Sequence, residues 1–114
     1  MRVRTALLVV ASVCSFGVAV PAVASAAEGD FTYRYYDEDG MIQSGALADP
    51  PSGVCLDIPE VIDFYDQHAF RPHNKTDSSA TVFKNGNCEG DAYYTLKAGG
   101  RASDRLLIRS VVFS

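Results

Sequence analysis

Beyond residue 26 the apolar positions fall in short runs with a period near two, separated by polar stretches that carry Gly, Pro, Asn and Asp. That pattern belongs to half-buried β-strands joined by turns. Phe31-Thr32-Tyr33-Arg34-Tyr35-Tyr36 is aromatic and nearly alternating, and Asp37-Glu38-Asp39-Gly40 has the composition of a turn. Val54, Leu56 and Ile58 alternate with Cys55 and Asp57. Thr81-Val82-Phe83 runs into Lys84-Asn85-Gly86-Asn87, where Asn-Gly reverses a chain readily, and Tyr93-Tyr94-Thr95-Leu96 is the return strand. A Gly99-Gly100 loop precedes Leu106-Leu107-Ile108 and Val111-Val112-Phe113, which read as one final strand bent near Arg109-Ser110, with a buried C-terminus. Only residues 59–66 offer a helical alternative, because Pro59 suits a first helical position and Val61, Ile62 and Tyr65 share a helical face. One or two turns is the most that segment provides. From there to Ala80 the Pro, Asn, Asp and Ser content predicts an extended, exposed connection, with an edge strand at Ala69-Phe70-Arg71 ahead of Pro72.

The first 26 residues follow a different rule. Arg2 and Arg4 precede an apolar run over residues 6–20 that ends at Pro21, and Ala24-Ser25-Ala26 places small residues where a signal peptidase needs them. Residues 1–26 are therefore read as a signal peptide, with Ala22-Val23-Ala24 as the second cleavage choice and residues 27–114 as a single secreted β-domain. A membrane anchor needs roughly 20 apolar residues. This run is shorter and is broken by Ser12, Ser15 and Gly17. A lipoprotein cut at Cys14 is a further alternative, opposed by Val13, which stands where a small residue is wanted.

Removing the leader leaves 88 of the 114 residues and takes Arg2, Arg4 and Cys14 with it, so 8 basic groups face 14 acidic ones, a net charge of −6 against −4 for the whole chain. Such a domain repels nucleic acid and anionic lipid within the screening length, which leaves a cationic or uncharged protein or cell-surface partner. Neither membrane insertion nor an obligate oligomer is implied, and a monomer is expected. The remaining cysteines, Cys55 and Cys88, pair most simply as one disulfide in an oxidising compartment. Closing a loop of about 34 residues removes roughly 3–4 kcal/mol of unfolded-chain entropy. A redox or metal-binding thiol pair is disfavoured by the absence of C-x-x-C and of clustered His.

Catalytic chemistry finds little support. His68 and His73 are the only imidazoles and lie in the polar connection, and no Ser occupies a G-x-S-x-G context. Asp57, Glu60, Asp63 and Asp66 provide carboxylate pairs of the kind any acidic surface provides, and so small a domain leaves little room for a substrate cleft. No catalytic, cofactor or metal residues are assigned. Asn74-Lys75-Thr76 is a glycosylation sequon in a context read as loop.

The C-terminal segment resembles a known family. Ala80-Thr81-Val82-Phe83, a turn with Cys88-Glu89-Gly90, Tyr93-Tyr94-Thr95-Leu96, Gly99-Gly100, Ser103-Asp104-Arg105 and Arg109-Ser110-Val111-Val112-Phe113 resemble one βγ-crystallin Greek-key motif. Gly90 matches the glycine that folds the hairpin over, and Ser110 the late serine. The resemblance covers residues 80–113 and is closest to small secreted actinobacterial proteins with disulfides, among them killer-toxin-like proteins and metalloproteinase inhibitors. It implies an all-β fold, a small Greek-key β-sandwich with one disulfide and little or no helix, in which residues 30–79 supply the other key. The calcium pattern of that family is degraded, since Asp104 stands beside Ser103 and far from Ser110. Asp37-Glu38-Asp39-Gly40 echoes half of a calcium loop without the distal Glu. Calcium is expected to be at most a weak stabiliser.

The sequence thus points to a secreted, non-catalytic, βγ-crystallin-like binding module. One form is a toxin-like effector that engages a cell surface, for which Tyr33, Tyr35 and Tyr36 offer contact area at low entropic cost. If Phe31 is buried, alternation instead places Tyr33 and Tyr35 in the core. The alternatives are a metalloproteinase inhibitor presenting a loop from residues 59–79, and an extracellular structural domain without toxicity.

Overall fold

The computed structural model describes residues 26–114, so the signal-peptide reading and Cys14 lie outside the described residues, apart from Ala26. Eight strands follow in order: β1 Gly29–Tyr36, β2 Ile42–Ala48, β3 Cys55–Asp57, β4 Ala69–Thr76, β5 Ala80–Phe83, β6 Tyr93–Leu96, β7 Leu107–Ile108 and β8 Ser110–Phe113. No α-helix occurs among the described residues. One sheet has the order β2-β1-β4-β7 and the other β6-β5-β8-β3, every pairing antiparallel. The two orders are the same once four is added to each label and β7 is matched to β3. Each half of the chain therefore forms a hairpin, lays its fourth strand beside the first, and gives its third strand to the sheet of the other half. The domain is a small β-sandwich of two such keys.

The alternating pattern explains the packing. Phe31 and Tyr33 of β1 are buried while Thr32 and Arg34, which alternate with them, are only half-buried. From the second sheet Val82, Val111 and Phe113 meet them, together with Ile58, Val61, Leu96 and Ile108. Phe31 and Phe113 pack edge to face with ring centroids 5.4 Å apart, the arrangement favoured by the aromatic quadrupole, and this contact joins the sheets.

Three expectations need correction, and one strand has no counterpart in the sequence pattern. Residues 106–113 are two strands and not one: β7 pairs with β4 in the first sheet and β8 with β5 and β3 in the second, so the chain changes sheet at Arg109. Residues 69–76 are not an exposed connection, because β4 is an inner strand between β1 and β7, with Phe70, Pro72, Asn74 and Thr76 buried. Pro72 argued against such a strand because it cannot donate to a ladder. It is accommodated where the β1–β4 register shifts, next to Arg71 at φ 51°, and its carbonyl accepts from the Ala102 N–H at 3.0 Å. Asn74 is fully buried, so the sequon is not on an exposed loop. Its amide N–H groups donate to the carbonyls of Ser78, Leu96 and Lys97, and its Oδ1 accepts from the Thr76 hydroxyl at 2.6 Å. Finally, β2 carries no clear alternation and was not anticipated. Gly45 is there because a Cβ would lie 2.4 Å from the Tyr33 ring across the ladder.

Candidate functional site

Residues 59–67 form neither helix nor strand but a chain of turns. Ile62 N–H bonds to the Ile58 carbonyl at 3.0 Å, Phe64 N–H to Val61 at 3.0 Å and Gln67 N–H to Phe64 at 2.8 Å. Val61 is fully buried and anchors the segment in the core. Turns of this kind leave carbonyls without strand partners, and a side chain from the other end of the chain satisfies them. The Arg109 guanidinium donates to the carbonyls of Ile62 at 2.8 Å, Phe64 at 3.2 Å and Tyr65. The residue at which the chain changes sheet thus also holds the turns in place.

What this frame presents is aromatic and acidic. A cleft of about 330 Å³ is lined by Tyr35, Tyr36, Asp37, Glu38, Glu60, Phe64 and Gln67. Phe64 is 55% exposed and the neighbouring Tyr65 89%, and Tyr36, Met41 and Ile42 are also exposed large apolar side chains. Of the tyrosines read as a contact cluster, Tyr33 is core and Tyr35 half-buried against it, as alternation required once Phe31 was buried, while Tyr36 is exposed. The Tyr33 hydroxyl donates to Glu60 Oε1 at 2.6 Å. Burial, then that hydrogen bond and the charge of Glu60, push the phenol far above its usual range, so it remains a donor. The Asp37 carboxylate accepts from the backbone N–H of Asp39 and Met41 and from Gln43 Nε2, each at 2.9 Å. The Met41 and Gln43 bonds hold its pKa below the ordinary value.

The resemblance residues converge elsewhere. Ser110 is fully buried, and its hydroxyl donates to the Asn85 carbonyl at 2.6 Å while accepting from Cys88 N–H at 2.8 Å. Asp57, opposite Ser110 in the β3–β8 register, accepts the preceding N–H, that of Asn87, at 2.8 Å. Gly90 lies at φ 92° with Asn85 against it, where a Cβ would approach to 2.4 Å. The Cys55–Cys88 disulfide, with Cα atoms 5.9 Å apart, closes the same corner. These residues fold the β5–β6 connection over and hold it there. They form a structural corner.

Other candidates separate. His68 has Arg109, Lys84 and Asp66 near it, whereas His73 has Arg101 and Lys75. Burial, then the neighbouring cations, lowers both pKa values. Asp57 and Glu60 are engaged with Asn87 and Tyr33, and Asp104 forms a two-pronged pair with Arg71 at 2.6 and 3.0 Å. Among the described residues no three His, Cys, Asp or Glu side chains are grouped as a metal site would require. Of the loop proposed for an inhibitor, residues 69–76 are the inner strand β4, which leaves the segment 59–68 and the short link at 77–79. Sequence reasoning missed Phe64 and Arg109. The available signal for Phe64 was an aromatic pair, Phe64-Tyr65, standing among Asp63, Asp66 and Gln67 with no alternation to bury it. No family model, curated protein or solved structure matches the chain.

Proposed function

We propose that the chain is a secreted, non-catalytic binding module of βγ-crystallin-like design that acts on a cell-surface partner through the aromatic and acidic cleft at residues 35–38 and 59–67. The observation that carries this reading is the exposure of Phe64 beside Asp37, Glu38 and Glu60, with Tyr65 exposed next to it in the chain, on turns fixed by Arg109. Exposed aromatic side chains on a rigid frame are the usual anchors of an interface, and they lose little entropy on binding. The surrounding carboxylates select a partner with cationic groups beside an apolar surface. The relationship to βγ-crystallins is supported by the matching strand orders of the two halves and by the corner around Gly90 and Ser110. The disulfide fits an oxidising compartment.

The test is to apply labelled protein to bacterial and fungal cells, and in parallel to a metalloprotease panel. Cell binding that falls at least tenfold in a Phe64→Ala/Tyr65→Ala variant with an unchanged melting midpoint is the expected result. Inhibition of a protease with no cell binding would replace this reading with that of an inhibitor.

A further inference from the structure

A second surface has the opposite character. On the outer face of the first sheet, the β-ladder registers place Ala46 beside Thr32, Thr32 beside His73 and His73 beside Arg101. Arg34 lies two residues along β1 from Thr32, and Lys75 two along β4 from His73. Arg101 belongs to the 97–104 loop, which runs along β4 as a short extra strand. The Asn74 N–H bonds to the Gly100 carbonyl at 2.8 Å, Gly99 N–H to the Asn74 carbonyl at 2.7 Å and Ala102 N–H to Pro72 at 3.0 Å. The buried Asn74 amide fastens the start of the same loop through Leu96 and Lys97. The position of Arg101 is therefore built into the fold.

The result is an open groove of about 950 Å³. Arg34, Arg71, Lys75 and Arg101 line it, half of the eight Lys and Arg among the described residues, and none of the lining residues is acidic. Two carboxylates stand at its margin. Asp104 pairs with Arg71, the one ion pair among the described residues, and Asp30 is the cross-strand neighbour of Lys75. Arg34, Arg101 and His73 are left facing the groove in a domain whose net charge is −6. Concentrating cations against the sign of the whole molecule has a local electrostatic cost, and an anionic ligand would relieve it.

We propose that this groove binds an acidic polysaccharide. The space is many times that of a single oxyanion, so the occupant is extended. The face offers the hydroxyls of Thr32, Ser44 and Ser103 between the cations, suited to alternating sugar hydroxyls and carboxylate or sulfate groups. The one aromatic residue of its lining, Tyr33, is buried and holds Glu60 through its hydroxyl, so it offers nucleic-acid bases no open ring on which to stack. Its apolar lining, Ala46, Pro72 and Ala102, is too shallow for the anchor side chains by which peptides dock. His73 reports on occupancy. Its pKa is lowered by burial and by Arg101 and Lys75, so an anion seated among Arg34, Arg101 and Lys75 moves it upward.

The experiment follows the His73 ring signals by NMR while a heparin-derived oligosaccharide is added, with neutral dextran and poly-glutamate as comparison polymers. The expected result is a saturable shift with the sulfated sugar alone, a raised His73 pKa, and weakening as salt increases. An Arg34→Ala/Lys75→Ala/Arg101→Ala variant with a retained thermal transition should bind at least tenfold more weakly, and Lys84→Ala, outside the groove, should bind normally. No shift at millimolar oligosaccharide, or undiminished binding by the triple variant, would overturn the proposal. Equal binding of poly-glutamate would overturn the carbohydrate assignment.

Discussion

The two keys share a strand order and differ in how each closes its hairpin. In the first, β1 and β2 are long, and five residues from Asp37 to Met41 join them, with the Asp37 carboxylate holding its own turn. In the second, β5 and β6 are four residues each, and the longer connection at 84–92 is folded back over the sheet by Ser110, Asp57, Gly90 and the disulfide. Length of pairing can thus be exchanged for tertiary fastening. The first key is sustained by ladder and aromatic burial, and the second by a few polar and covalent contacts at one corner.

The comparison is broken most severely by removing the disulfide. A Cys55→Ser/Cys88→Ser variant should lose about 3–4 kcal/mol, seen as a lower urea midpoint, with the Asn87 and Cys88 amides losing hydrogen-exchange protection first. Ser110→Ala should follow at roughly 2–3 kcal/mol, since it leaves the Cys88 N–H and the Asn85 carbonyl without their partner in a partly buried site. A loss below about 0.5 kcal/mol would show that the corner is held by the disulfide alone. In the first key, Gly45→Ala should cost roughly 1–3 kcal/mol because the new Cβ meets the Tyr33 ring, and it should shift the Tyr33 ring signals without disturbing those of Asn87.

The smallest effect is electrostatic. The Asp37 pKa is lower in the folded chain than in the unfolded one, so its contribution is present above the unfolded value of 3.8 and is lost as pH falls through the folded value. Between neutral pH and pH 3, Asp37→Asn should flatten the acid limb of the stability curve slightly. Comparing the midpoint at several pH values in the two proteins checks this.

The second key was legible because its corner requires unusual residues. A glycine at positive φ, a buried serine and a cysteine are visible as letters, and Gly90, Ser110 and Cys88 marked the motif. The first key also has positive-φ glycines, at Gly29, Gly40 and Gly53, and Cys55, but two of its strands carry no readable pattern. Its β2 is an edge strand with little to bury, so Ile42-Gln43-Ser44-Gly45 shows no period, and its β4 contains a proline that local rules exclude from an inner strand. Both depend on long-range circumstances: the Tyr33 ring over Gly45, and a register shift that absorbs Pro72. The helical alternative at 59–66 is realised only as a chain of turns, and the exposure of its aromatics depends on Arg109, some 45 residues away in sequence.

The Cys55–Cys88 link also bears on how the chain meets proteases outside a cell. It spans the turns at 59–67, where Phe64 and Tyr65 stand exposed, and the whole of β4 and β5. A single cut there frees neither piece, because the fragments remain covalently joined and each still has a strand in the sheet of the other. Nicking becomes a change in topology without loss of mass, and only cleavage combined with reduction releases the fragments from the covalent link.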